Sequence, residues 1–343
     1  MNRPQVDITI IGAGPTGLFA LFYAGMRGVS AQIVDALPQL GGQLAALYPE
    51  KYIFDVGGYS RVLAKDLIRE LADQAGQFGA QWHLAQHVVA LEEEDGLFTL
   101  ATATDRFPTR AVVIAGGIGA FSPRRLPQAV ADPWYGRGIY DRVMEPAEFA
   151  GQKIVVIGGG DSAFDWAQQL RNYATAITLV HRSDRYRAHA ATVADVHADA
   201  ASGGRTTILP FHELCDILEL DGRLRGIVVR DIKQKTTREI EADAVLPMLG
   251  FHSELGAIRD WGLTLEGRDI LVNRRMETGR AGIWAAGDIT SYDGKLKLIA
   301  TGFGEAATAV NQAVHWLYPA KKVDPGHSSD MAIFGQQTTA TSD

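Results

Sequence analysis

The stretch Val6-Asp-Ile-Thr-Ile-Ile11-Gly12-Ala-Gly14-Pro-Thr-Gly17 decides how this chain is read. Val6–Ile11 is a β-branched run with no internal breaker, the composition of a parallel strand buried on both faces. Leu18–Arg27 is an apolar stretch of helical length, and Gly28 stops it. Ala31–Val34 is a second strand, with Asp35 at its end, about 20 residues past the glycine turn. Strand, turn, helix and strand form one βαβ unit. In such a unit a Gly-x-Gly-x-x-Gly turn lets the backbone approach a pyrophosphate. The helix start supplies free N–H groups and partial positive charge, and the terminal acid takes a ribose 2′-hydroxyl. Gly12, Gly14, Gly17 and Asp35 supply all of these parts, so the turn is expected to hold a dinucleotide with a free ribose.

The pattern returns about one domain length later. Lys153–Ile157 is a strand, Gly158-Gly-Gly160-Asp-Ser-Ala163 a turn, Phe164–Tyr173 a helix and Ile177–Val180 the returning strand. His181-Arg182 follows, where an acid would mark a free ribose. A guanidinium there suits a 2′-phosphate, and Arg187 can join it, so Gly158, Gly160, Ala163, Arg182 and Arg187 are expected to bind NADPH. Solvated surface arginines are the plain alternative. Two such units in one chain suggest an FAD–NADPH flavoprotein. Hydride then passes between nicotinamide and flavin, and the protein needs no general base or nucleophile.

Composition narrows the classes. Glycine, at 37 of 343 residues, exceeds its usual share of about 7% and clusters at a few turns. The single cysteine, Cys215, excludes an internal disulfide, a CxxC pair and a multi-cysteine metal centre in this chain. Beside Ile217–Leu218 it reads as a small core residue. No metal ligand set is expected, since the 9 histidines are scattered. A net charge of −7 argues against nucleic-acid or anionic-membrane partners. The uncharged stretch Ile8–Met26 is broken by Gly12, Gly14, Pro15, Thr16 and Gly17, whose exposed backbone is costly in lipid, so a soluble cytoplasmic protein is expected.

Elsewhere Asp66–Phe78 has helical periodicity. His87–Leu91 and Leu97–Thr102 read as a hairpin around Glu92–Gly96, taken as a solvated loop. Ala111–Ala115 is a buried strand running into Gly116-Gly117-Ile-Gly119. Asp216–Leu220 and Ile227–Asp231 flank Asp221–Gly222 as a second hairpin, and Ala244–Leu249 is a strand. Gly282–Ala286 leads into Gly287-Asp288, and Glu305–Leu317 is a closing helix. From Val323 onward the chain is polar.

These segments resemble the two-dinucleotide flavin reductases of the thioredoxin reductase type. The stretch that would carry their active disulfide, Gly138–Val143, holds no cysteine, so that chemistry fails here. The chain more closely resembles ferredoxin–NADP⁺ reductases of the thioredoxin reductase-like type. The resemblance rests on PQLGGQLAALYPEKYI (Pro38–Ile53), Arg185-Tyr-Arg-Ala-His189, Asp260-Trp-Gly262, Met276-Glu-Thr278 and Gly302-Phe-Gly-Glu-Ala306. It implies an α/β fold of two Rossmann-like domains, with an FAD domain at 1–118 and 250–343 and an NADPH domain at 119–249. It implies that Asp35, Gln43, Val88, Phe121 and Asp288 contact FAD, with Thr16 at the phosphate turn. Tyr48 would stack on the isoalloxazine. His327, flanked by Ser328 and the FAD contact Ser329, would cover the opposite flavin face from the partner subunit of a homodimer. The resemblance also implies closure about hinges near Gly116–Gly119 and Gly250.

One departure stands out. The family's NADP motif reads His-Arg-Arg, and Ser183 replaces the second arginine, which predicts weaker discrimination against NADH. The implied electron partner is ferredoxin. Candidate docking cations are Arg124–Arg125, Arg274–Arg275, Lys295 with Lys297, and Lys321–Lys322. An NADPH-driven reductase of a flavodoxin or quinone, or a regulator without turnover, remains open on the residues alone.

Overall fold

The computed structural model describes residues 3–47, 49–79, 81–143, 145–331 and 334. The chain forms two compact units, Met1–Ala120 with Ser253–Asp343, and Phe121–His252. It passes between them through Ala120–Pro123 and Phe251–Glu254, which pair with each other.

The first unit begins with strand β1 (Val6–Ile11), helix α1 (Pro15–Met26) and strand β2 (Ala31–Val34). The helix starts three residues earlier than the apolar run indicated, because Pro15 carries the φ of a first helical residue and lacks the N–H that would go unpaired there. β1 pairs in parallel with β2, Ile8 opposite Ala31, and with β3 (Arg106–Ile114), Ile8 opposite Ala111. Ile8, Ile10, Ile33, Val113 and Ile114 are fully buried, as continuous β-branched strands require.

Strand β3 is longer than expected and has two partners on its far side. Its first half pairs antiparallel with Leu97–Ala101, and its last residues pair in parallel with Ile283–Ala285. The returning chain therefore delivers Gly287-Asp288 to the same sheet end as the β1 turn.

The hairpin read around Glu92–Gly96 needs correction. Glu92, Glu93 and Glu94 lie within strand Ala90–Glu94, and only Asp95 and Gly96 turn, both at positive φ (50° and 77°). That is the two-residue Asp-Gly connection whose twist matches flanking strands. Glu92 pairs with Arg106 and Glu93 with Arg280, so these two glutamates are ion-paired strand residues on opposite faces.

The second unit holds a four-stranded parallel sheet in the order Thr206–Pro210, β5 (Ala176–His181), β4 (Lys153–Ile157) and Ala244–Pro247. Helix α2 (Asp161–Gln169) links β4 to β5 through a 3₁₀ turn at Leu170–Asn172, where the expected longer helix tightens. A three-stranded antiparallel sheet, His212–Leu220, Arg223–Asp231 and Thr237–Glu241, is added to it. Its third strand was not legible in the sequence, because only Ile240 of that run is buried. Cys215 is exposed, contrary to the core reading. It falls at a register shift between Leu214 and Asp216, where a bulge re-aims a side chain away from its alternation.

Helix α3 (Ile299–Leu317) closes the first unit. It begins six residues before the expected Glu305, through Gly302 and Gly304. Ala306, Ala309, Val310 and Ala313 are buried in the same core as Leu21 and Ala24 of α1, so small residues let the two helices approach closely.

Candidate functional site

At the carboxyl end of the first sheet, glycines set the geometry by close approach. A Cβ on Gly12 would lie 2.4 Å from the Ala115 carbonyl oxygen, and one on Gly17 would lie 1.8 Å from the Gly12 oxygen. Both positions therefore admit glycine alone. Gly14 precedes α1 in extended conformation and brings no capping side chain, so the first-turn amides are left to donate elsewhere. Gly42 backs onto this turn, where a Cβ would come 3.1 Å from the Gly14 Cα, and Gly41 N–H donates to the Ala13 carbonyl at 2.8 Å. Gln43 presents its amide nitrogen to Gly117, 3.1 Å from where a Cβ would stand. The Gly41–Gly42 pair was not singled out as part of the turn. Its signal was the double glycine inside PQLGGQ.

Asp35 is 8% exposed and already carries a structural duty. Its Oδ2 accepts from the Ala13 N–H at 2.5 Å and its Oδ1 from the Leu37 N–H at 2.7 Å. The carboxylate thus staples the glycine turn to the end of β2, with lone pairs remaining for hydroxyl donors. Burial pushes the carboxyl above its ordinary value, against the pull of those two amides. The Asp35 carbonyl accepts from Gln86 N–H at 2.8 Å, which brings the following segment, with half-buried Val88, beside it.

A third wall comes from the chain's return. A Cβ on Gly287 would be 2.9 Å from Thr16 Oγ1, and one on Gly302 only 2.3 Å from the same atom. Thr16 is therefore wedged between the Gly287 turn and the first turn of α3, and the positive ends of two helices meet there. Asp288 is half-buried; burial raises its carboxyl, and the Lys295 and Lys297 charges draw it down.

Beneath the Gly287 turn lies an ion pair the sequence did not announce. Lys295 and Glu305 are 2.5 Å apart, with side chains 7% and 5% exposed. Lys295 is thus no docking cation, and Lys297 is held by Asp269 at 3.0 Å.

The other basic pairs differ. Arg124 and Arg125 are exposed, with Arg125 4.4 Å over the Tyr135 ring, and Arg274 and Arg275 are exposed. Lys321 Nζ donates to the Arg27 carbonyl. Arg27 in turn donates to the Lys322 carbonyl at 2.6 Å and the Val323 carbonyl at 2.8 Å, and His315 Nδ1 meets the Lys321 carbonyl at 2.7 Å. The tail is therefore clasped at the far end of α1, about 18 Å from the glycine turn at 1.5 Å per residue. His327, Ser328 and Ser329 beyond the clasp are exposed. Phe334 packs on Phe78. Tyr48 and the Phe121 side chain lie outside the described residues.

In the second unit, a Cβ on Gly158 would meet the Met248 carbonyl oxygen at 2.3 Å, and one on Gly159 the His181 ring at 2.5 Å. Gly160 is open and starts α2 without a capping side chain. Ala163 is fully buried where a small residue lets helix and strand approach. Arg182 and Arg187 are exposed, and the Arg187 N–H donates to the Gly159 carbonyl at 2.8 Å, tying that arginine to the glycine turn. Burial lowers the His181 imidazole against a bond to the Arg185 backbone, and the charges of Arg182 and Arg187 push it further down. Ser183 Oγ closes a local turn on Arg185 at 3.2–3.3 Å. Asp161, in the first turn of α2, accepts from the His189 N–H at 2.9 Å and anchors the far end of this loop.

Among the described residues no group of three or more His, Cys, Asp or Glu could hold a metal ion. No helix among them is long and apolar enough to cross a membrane.

Residues 6–313 match the pyridine nucleotide-disulphide oxidoreductase family. The ferredoxin–NADP reductase of Thermus thermophilus is 46% identical over 98% of this chain and 100% of its own length. Ferredoxin–NADP reductase 2 of Listeria welshimeri is 44% identical over 95% of this chain and 97% of its own. Among solved structures, thioredoxin reductase from Lactococcus lactis matches with a TM-score of 0.71 at 25% identity, covering 91% of this chain and 99% of that one. The T. acidophilum thioredoxin reductase matches with a TM-score of 0.72 at 24% identity over 91% and 98%, a likeness of fold.

Proposed function

The chain belongs to the ferredoxin–NADP reductases of the pyridine nucleotide-disulphide oxidoreductase family, and on that premise we propose that it moves electrons between NADPH and ferredoxin through FAD. It is an oxidoreductase whose cofactors are FAD and NADPH. FAD supplies the exchange between two-electron hydride chemistry and one-electron release. The protein binds, orients and shields.

The observation that carries this reading is a contrast between two glycine cradles in one chain. The first ends in the buried acid Asp35, the second in the exposed pair Arg182 and Arg187. A free ribose suits the carboxylate, and a 2′-phosphate suits the guanidinium groups. On this basis the first unit is the FAD domain. The turn of Gly12, Gly14, Thr16 and Gly17, with the first-turn N–H groups of α1, takes the diphosphate, and Asp35 takes the ribose. Gln43, Val88, Phe121 and Asp288 line the remainder. The second unit is the NADPH domain, in which Gly158, Gly160, Ala163 and α2 receive the diphosphate and Arg182 and Arg187 the 2′-phosphate. Ser183 is engaged in its own turn, so selectivity rests on the other two cations.

Tyr48 would cover one flavin face and exclude water. His327 and Ser329 would serve the other face from a second copy in a homodimer. The Arg27 clasp supports that arrangement, because it holds the tail's base at the opposite end of α1 from this chain's own glycine turn. Ferredoxin as acceptor is supported by the named relatives and by a chain whose one cysteine provides no dithiol relay. Of the candidate docking cations, Arg124–Arg125, Arg274–Arg275 and Lys322 are exposed, as is Lys297 beside Asp269.

The test is NADPH-driven cytochrome c reduction by the purified yellow protein, with and without ferredoxin. Strong stimulation by ferredoxin is expected. An unchanged rate refutes the ferredoxin assignment and leaves a reductase of another acceptor.

A further inference from the structure

The Gly287 turn is held in a way a short loop does not require. The Gly287 N–H donates to Glu305 Oε2 at 2.7 Å, and the Gly287 carbonyl accepts from Lys295 Nζ at 3.0 Å. Both polar groups of one residue's backbone are thus taken by the two members of a single ion pair, itself closed at 2.5 Å. Thr290 Oγ1 donates to the same carbonyl at 2.8 Å, and Tyr292 hydroxyl donates to Glu305 Oε1 at 2.6 Å. Turn, following loop and α3 meet at one carboxylate.

A buried pair of this kind is a poor device for stability alone. Desolvation consumes most of the Coulomb gain, and apolar side chains of equal volume often serve as well. What it does provide is fixed geometry and a fixed local field. Both matter at this place. Gly287 abuts Thr16, and Asp288 follows immediately, within the electrostatic reach of Lys295 and Glu305.

We propose that the Lys295–Glu305 ion pair is a positioning element for FAD, which registers the Gly287–Asp288 turn against Thr16 and sets the electrostatic field at that wall of the site. The inference rests on the reading of this turn as part of the FAD site. Together the pair is neutral. Removal of one member leaves a full charge in a poorly solvated place, and that charge acts on the bound flavin. A positive charge favours the anionic reduced flavin, and a negative charge opposes it.

The variants are Glu305→Gln, Lys295→Met and the double replacement, each read by flavin midpoint potential and by FAD titration of apoprotein. Glu305→Gln is expected to raise the potential and Lys295→Met to lower it, with the double variant returning toward wild type. FAD dissociation constants should rise about tenfold or more in Lys295→Met, the factor carried by one charge-assisted hydrogen bond. A purely structural pair predicts losses of affinity and melting temperature with potentials unmoved, or moved in the same direction, and either result overturns the proposal. If a single variant fails to fold, Lys295→Arg and the double variant decide. Lys295→Arg keeps the charge, so its potential should stay near wild type while FAD binding weakens, and a shifted potential overturns the field assignment. A wild-type protein that takes up no FAD overturns this inference and the underlying reading together. A wild-type flavoprotein with indifferent variants overturns the inference alone.

Discussion

Asp35→Asn separates the two duties of one carboxylate, the observed staple of the glycine turn and the proposed contact with the FAD ribose. In the native turn Oδ1 and Oδ2 each accept a backbone amide, from Leu37 at 2.7 Å and Ala13 at 2.5 Å. An asparagine has one acceptor oxygen, so one of these amides must face an NH₂ group instead. An unsatisfied buried donor costs about 1–3 kcal/mol. Part of that is offset, because burial disfavours the native carboxylate and pushes its carboxyl above the ordinary value. The net loss for apoprotein should sit near the lower end, about 1 kcal/mol, which lowers the melting temperature by about 2–4 °C for a unit of this size. FAD loses in addition a charge-assisted bond to its ribose, about 1.5–3 kcal/mol, or roughly 10- to 150-fold in dissociation constant. The assay pairs thermal unfolding of apoprotein with FAD titration by quenching of flavin fluorescence. Unchanged melting would show that the two amides do not depend on the carboxylate. Unchanged affinity would remove Asp35 from the ribose site.

Other outcomes follow from the same geometry. Arg182→Ala and Arg187→Ala should each raise KM for NADPH about tenfold or more while leaving KM for NADH nearly unchanged, measured as the ratio of the two, since each removes a charged partner of the 2′-phosphate. Tyr292 is pushed up to about 12 by burial and by its bond to Glu305, so the folded protein keeps that proton after the unfolded chain has lost it near pH 10. Stability should therefore fall as pH rises from about 10 to 12, and Tyr292→Phe should flatten that decline in denaturant titrations across the range. Arg27→Ala should release the carbonyls of Lys322 and Val323, so that amides of residues 321–323 exchange hydrogen faster, read by mass spectrometry. Unchanged protection there would refute the clasp.

Much of this protein was legible along the chain because its signals are local. β1 and β4 fall on the strands read from Val6–Ile11 and Lys153–Ile157, since a β-branched run flanked by glycine has few other ways to be buried. The glycine spacings marked both turns, and the acid in one and arginine in the other distinguished them. Legibility failed where the deciding contact is remote. The early start of α3 depends on Gly302 meeting Thr16, residues far apart in the chain. The exposure of Cys215 follows from a register shift set by a neighbouring strand. Glu92 and Glu93 read as a loop because their cations, Arg106 and Arg280, come from other segments.

The sequence by itself determined the two glycine-turn βαβ units, the acid that ends one and the arginine that follows the other, and the lack of a dithiol. Each of these is written in residue types at short spacing, where backbone geometry leaves little choice. Only the tertiary structure decided that Asp35 staples the glycine turn to the end of β2, that Lys295 belongs to a buried pair and not to a docking face, and that the tail is fastened at the far end of α1. Those facts depend on which distant groups share a desolvated space, and burial of charge is a property of the packed chain that no local pattern encodes.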